Sequence, residues 1–100
     1  MAENLYWEDV AEGQELPALV KQPSKRQLVK YAGASGDFYE VHYDKDFAVA
    51  IGLPGLIVHG ALKNAYLAQV VTDWMGDAGV LKKLSVMYRG TDVPDDALTC

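Results

Sequence analysis

Apolar and polar positions along this chain change period several times. Leu28, Val29 and Ala32 recur among polar neighbours at helical spacing. Ser24 precedes them, with Gln27 three places on. That is a capping box, in which the hydroxyl accepts an amide of the first turn and Gln reaches back. Gly33 and Gly36 follow, so the pattern predicts a helix over residues 25–33. Asp44 is placed to cap a second, short helix through Phe47, Ala48 and Ile51, closed by Gly52. A longer helix is predicted from Gly60 to about Met75, with Gly76 as its stop. Ala61, Leu62, Ala65, Tyr66, Leu67, Val70, Val71 and Trp74 cover more than one stripe of it. A helix apolar over most of its circumference is normally buried on several sides.

The remainder reads as extended chain. "NLYWEDVAEGQEL" is an entry segment with a turn at Glu12-Gly13-Gln14, and Leu16, Leu19 and Val20 form a short apolar stretch broken by Pro17. Leu56 to Val58 is a buried stretch leading into the long helix. Leu84, Val86 and Tyr88 alternate as a strand would, and "DALTC" opens another. Helices first and strands behind them predict an α+β arrangement in one domain over residues 1–100.

Composition narrows the function. Half of the residues are hydrophobic, enough for a core. The net charge of -5 and the dispersed Lys and Arg argue against a nucleic-acid partner. Cys100 is the only cysteine, so neither an intrachain disulfide nor a cysteine metal site is expected, and a cytoplasmic location fits. No basic segment followed by an apolar run opens the sequence, and residues 61–75 are too short and too polar to span a membrane.

The chemistry gathers in "SGDFYEVHYD", Ser35 to Asp44, which carries one of only two histidines. With its neighbours, "YAGASGDFYEVHYDKDFAVAIGLPGLIVHGAL", it resembles the R-specific enoyl-CoA hydratases, the MaoC-like dehydratases of the hot-dog fold. Tyr31-Ala32, Ser35-Gly36-Asp37, His42, Asp44, Ala48, Gly52, Ile57 and His59-Gly60 stand in the family's order. Tyr39-Glu40 stand where the family usually has Asn-Pro. The resemblance is strong from Tyr31 to Leu62 and general elsewhere. It implies a central buried helix wrapped by a curved antiparallel sheet. It also implies strands beyond those visible here, so that the sheet is shortened or is completed by another chain.

The same resemblance implies a hydro-lyase acting on trans-2-enoyl thioesters of CoA or acyl carrier protein, with no metal and no other cofactor. Asp37 and His42 are then the catalytic dyad and the Gly60 amide the oxyanion donor. Chemical sense agrees: a free amide in a helix's first turn favours negative charge, and glycine admits close approach. Tyr39, His59 and Tyr66 are candidates for lining the substrate. Each has a plainer reading: Tyr39 a surface aromatic, His59 a ring that fixes the turn before the helix, Tyr66 core. Asp37 alone would read as an Asx-turn residue, and Ser35 as a helix-end hydroxyl bonded to backbone rather than a nucleophile. The alternative function is a non-catalytic or partner-dependent acyl-thioester-binding subunit, and a hot-dog thioesterase is a third. A helix this apolar and an open sheet edge predict an obligate oligomer, a homodimer or a heteromer with a related chain.

Overall fold

A computed structural model describes residues 5–100. Asn4, the first residue of the entry segment, and the three before it lie outside the described residues. The elements run in the order α1 (Lys25–Ser35), α2 (Lys45–Ala50) and α3 (Gly60–Met75), between two short strands, β1 (Val20–Lys21) and β2 (Leu98–Thr99). Single 3-10 turns lie at Trp7–Asp9 and Glu40–His42.

α1 starts as its cap predicts, with Ser24 Oγ accepting from the Gln27 amide at 3.1 Å. The reciprocal half of the capping box does not form. Gln27 Oε1 instead accepts from the Tyr66 hydroxyl at 3.0 Å, because a buried phenol needs an acceptor. The helix also runs two residues past the predicted end. Gly33 is helical, and the chain turns at Gly36, whose φ of 78° is left-handed and whose N–H donates to the Ala32 carbonyl. α2 is capped by Asp44 Oδ1 on the Phe47 amide at 3.2 Å. α3 has the predicted bounds, and its last turn is closed by the Gly76 N–H on the Thr72 carbonyl.

β1 and β2 pair antiparallel, Val20 with Thr99 and Lys21 with Leu98. Leu19 and Cys100 extend the pairing by exchanging both backbone bonds, at 2.9 and 2.8 Å. The predicted strand at Leu84–Tyr88 is corrected: among the described residues this segment forms no regular element and pairs with nothing. Alternation shows that side chains suit a strand, but a ladder needs a neighbour to take its amides.

The core is Leu28 from α1, Val58 from the loop before α3, and Leu62 and Tyr66 from α3, with Tyr31, Leu98 and Cys100 packed on it. At roughly 1.5–3 kcal/mol for each large side chain buried, this cluster is what fixes α3 to α1. Burial of α3 within the chain is narrower than predicted. Leu62 and Tyr66 are buried, Ala61, Ala65 and Leu67 are exposed, and Val70, Val71, Trp74 and Met75 are half covered. The two-stranded sheet reaches the helix through Leu98, which with the neighbouring Cys100 packs on the Leu62–Tyr66 cluster. The radius of gyration, 16.1 Å, exceeds the roughly 13 Å of a compact chain this long.

Candidate active site

Asp37 lies one residue past the left-handed Gly36 that ends α1. Ser35 prepares this exit: its Oγ donates to the Tyr31 carbonyl at 2.7 Å and accepts from the Asp37 amide at 3.2 Å. That is the helix-end role its position predicts. Asp37 Oδ1 accepts a long bond from the Tyr39 amide, 3.4 Å, the Asx turn of a loop aspartate. Its other oxygen, Oδ2, remains for the site.

The 3-10 turn Glu40–His42 then carries His42 inward. Where the family pattern has proline, this turn is held by hydrogen bonds. The Tyr39 carbonyl accepts from His42, and the Glu40 carbonyl accepts from Tyr43 and Asp44. The Glu40 side chain is exposed. A two-way clamp ties the turn to the loop before α3. The Ile57 N–H donates to the Val41 carbonyl at 3.1 Å, and His42 Nδ1 lies 2.8 Å from the Ile57 carbonyl. A carbonyl only accepts, so Nδ1 carries a proton, and the neutral ring presents a bare Nε2.

That Nε2 faces Asp37 Oδ2 at 3.8 Å, with the His42 side chain 8% exposed and Asp37 46% exposed. The gap exceeds a direct hydrogen bond and suits two bonds of about 2.8 Å that share one water. The carboxylate thus stands toward solvent and the imidazole toward the protein.

His59 is buried completely. Its ring stacks on His42, centroids 3.7 Å apart and planes 20° apart, while Tyr31 meets it edge-on at 4.8 Å. His59 Nε2 is 3.3 Å from the Asp37 carbonyl, so it is the protonated nitrogen. Its Nδ1 is buried and without a partner among the described residues. Burial first, and then the neighbouring His42, hold its pKa below the ordinary histidine range, against a smaller upward pull from the Asp37 carbonyl and carboxylate. The ring is neutral. Asp37, His42 and His59 each offer a nitrogen or oxygen within 4.8 Å of the others, a donor set with metal-ligand chemistry. Their geometry does not fit one ion. The two rings lie in nearly parallel planes, 20° apart with centroids 3.7 Å apart, so their in-plane lone pairs do not converge on one point.

Gly60 follows His59 directly and opens α3, where first-turn amides lack intrahelical partners. A Cβ there would fall 3.2 Å from the edge of the Tyr88 ring. Tyr88 is held nearby by tethers on its segment: Lys63 Nζ donates to the Gly90 carbonyl and to Asp92 Oδ2, and the Val58 N–H to the Asp92 carbonyl. From sequence Tyr88 was read only as a strand residue, and no local signal marks a contact across 28 positions.

Of the lining candidates, Tyr39 is half exposed and its ring meets His42 edge-on at 6.2 Å, at the mouth of the site. His59 lies behind His42 rather than at the surface. Tyr66 is a core residue whose hydroxyl is spent on Gln27, and burial raises its pKa, so it stays protonated. An apolar cavity of about 490 Å³ is lined by Val29, Ala32, Phe38 and Tyr43, two of which flank the turn in sequence. Among the described residues no helix is long and apolar enough to cross a membrane.

Comparison with known proteins shows what the chain is similar to. Residues 9–100 match the family described as MaoC like domain. The chain is 32% identical over 74 residues to the 3-oxo-4,17-pregnadiene-20-carboxyl-CoA hydratase beta subunit of Mycobacterium tuberculosis, covering 74% of this chain and 57% of that one. It is 36% identical over 70 residues to the fatty acid synthase beta subunit TOXC of Cochliobolus carbonum, covering 68% of this chain and 3% of that protein. A chain in the crystal structure of the ChsH1–ChsH2 complex from Mycobacterium tuberculosis superposes with a TM-score of 0.76 at 30% identity, covering 84% of this chain and 66% of that one. The chain therefore spans just over half of the hydratase subunit and a small fraction of the synthase.

Proposed function

Because the chain belongs to the MaoC like domain family, we propose that it is a hydro-lyase that reversibly hydrates trans-2-enoyl thioesters to (R)-3-hydroxyacyl thioesters. The thioester is carried by CoA or acyl carrier protein. One observation carries the reading: two proton acceptors, Asp37 Oδ2 and His42 Nε2, face each other across 3.8 Å beside the first turn of α3.

Two acceptors facing one water hold both of its hydrogens and leave its lone pair free to attack C3. One acceptor takes a proton as the C–O bond forms. Electrons of the C2–C3 double bond move toward the thioester carbonyl, whose oxygen gains charge and is met by the Gly60 amide. The proton taken from water is then delivered to C2, and the thioester carbonyl is restored. Water has added across the double bond, and the dyad ends as it began. The Asp37 carboxylate is half open to solvent, so water enters from its side, while buried His42 keeps a fixed tautomer through Ile57.

Loss of enoyl absorbance with crotonyl-CoA and longer enoyl-CoAs is the test. Asp37→Asn and His42→Ala should each lower kcat by about 10²–10⁴, the usual range for a positioned acid–base group. An active wild-type protein whose variants lose nothing would overturn the mechanism. Free thiol released from saturated acyl-CoA would point to a thioesterase instead.

A second reading, a partner-dependent subunit of a hetero-oligomeric dehydratase, is favoured by the exposed and half-covered face of α3 and by the subunit and two-protein names of the relatives. In either case the chain is expected to associate. Sedimentation equilibrium at low micromolar concentration separates the outcomes: full activity in a lone homo-oligomer excludes the partner, and a cooperatively melting monomer excludes both assemblies.

A further inference from the structure

His59 is the side chain that the dyad chemistry leaves unused, and its environment is expensive. A buried nitrogen with no partner costs about 1–3 kcal/mol, so an apolar ring would fill the same space at lower cost. What an apolar ring would not supply is the donor. His59 donates through Nε2 to the Asp37 carbonyl, 22 residues away at 3.3 Å. The same ring lies flat against His42 at 3.7 Å. Tyr31 meets it edge-on at 4.8 Å, and it leads directly into Gly60.

We propose that His59 is a positioning residue: one imidazole, hydrogen-bonded to the backbone of Asp37 and stacked on the ring of His42, sets the separation of the two proton acceptors and ties them to the Gly60 amide. The inference rests on the hydratase reading above. A catalytic geometry tolerates errors of only about 0.5 Å, and loop residues joined by local turns alone do not hold one another to that. The stack fixes the plane of His42, and therefore the direction of its Nε2. The hydrogen bond fixes the main chain from which the Asp37 carboxylate extends. The titratable groups that face His59 are His42, Asp37 and Tyr31. Burial keeps His59 neutral, so it does not oppose a proton arriving on the stacked neighbour.

Two substitutions divide its contacts. His59→Phe keeps an aromatic face against His42 and removes the donor. His59→Gln keeps a donor and removes the stacked ring. Each is expected to lower kcat by about ten- to a hundredfold, as small misplacements of reacting groups do, with KM changed less than about threefold. Kinetics are measured well below the melting transition of each variant. A merely structural residue would lower the melting temperature and leave kcat per folded molecule at the wild-type value, and that result would overturn the proposal. Nitrogen-15 NMR of the unsubstituted protein tests the arrangement without relying on a variant that folds. His59 should be the Nε2–H tautomer and take up its second proton only below the ordinary histidine value of about 6.5, while His42 is the Nδ1–H tautomer. His59 protonated at Nδ1 would sink the proposed hydrogen bond whether or not the protein hydrates enoyl thioesters. A wild-type protein without hydratase activity, but with these tautomers, would overturn the functional reading and with it the positioning role, leaving only the His59–Asp37 bond.

Discussion

Gly60→Ala separates folding from chemistry at the start of α3. The new methyl would lie 3.2, 3.3 and 3.4 Å from Cε2, Cζ and Cδ2 of Tyr88. Carbon atoms rest at about 3.5–4.0 Å, so the ring must retreat by a few tenths of an ångström. It is free to do so, since Tyr88 is 55% exposed and its segment is unpaired. Alanine is better than glycine in a helix by at most about 1 kcal/mol, and less in the first turn. The two effects oppose each other, and stability should change by about 0.5 kcal/mol or less, read as an unchanged urea midpoint. Activity should respond quite differently. The methyl occupies space beside the amide proposed to meet the thioester oxygen, and losing one such donor costs about 10²–10³ in rate. Hydration of crotonyl-CoA should fall toward that range in kcat/KM. The double variant Gly60→Ala, Tyr88→Ala removes the ring and should not restore the rate. Full activity in the single variant would refute close approach at Gly60, and full recovery in the double variant would move the effect to the displaced ring.

Three further outcomes are expected. Leu28→Ala, at a fully buried core position, should cost about 2–5 kcal/mol, a large part of the 5–15 kcal/mol typical of a domain, and should shift urea unfolding strongly. Ser24→Ala removes the α1 cap and should cost about 1 kcal/mol, with catalysis unchanged. The His59 pKa is depressed in the folded state, so below pH about 6.5 the unfolded chain binds a proton that the folded chain refuses. Its contribution is complete above that pH and is lost as pH falls toward the folded value. His59→Phe should therefore show a shallower loss of stability on acidification than wild type, and equal slopes would contradict a neutral buried ring.

What was legible in advance was local. Asp44 over Phe47 and the bounds of α3 at Gly60 and Gly76 each rest on residues within a turn of one another. So does the Ser35 hydroxyl on Tyr31. The order of Asp37, His42 and Gly60 also lay in the sequence, since one loop and one helix start carry all three. What was hidden depended on distant partners. Gln27 abandoned its capping box because Tyr66, 39 residues on, needed an acceptor. Leu84–Tyr88 has the alternation of a strand but found no ladder. The stacking of His42 on His59 joins residues 17 apart, and no spacing rule announces it. The face of α3 beyond Tyr66 is as apolar as predicted, but covering it needs surfaces that local pattern does not reveal.

The tethers of Lys63 to Gly90 and Asp92, and of Val58 to Asp92, divide the molecule into regions of unequal persistence. On one side lie the clamped loop, the stacked imidazoles and the start of α3, where His42, His59, Leu62 and Tyr66 are buried. On the other, residues 80–89 carry no ladder, and the last turns of α3 are partly bare. Amide hydrogen exchange should therefore be graded along a single helix, slow near Tyr66 and faster toward Met75. Openings of the far end can then occur many times without disturbing Asp37 and His42, so that association there need not alter their geometry.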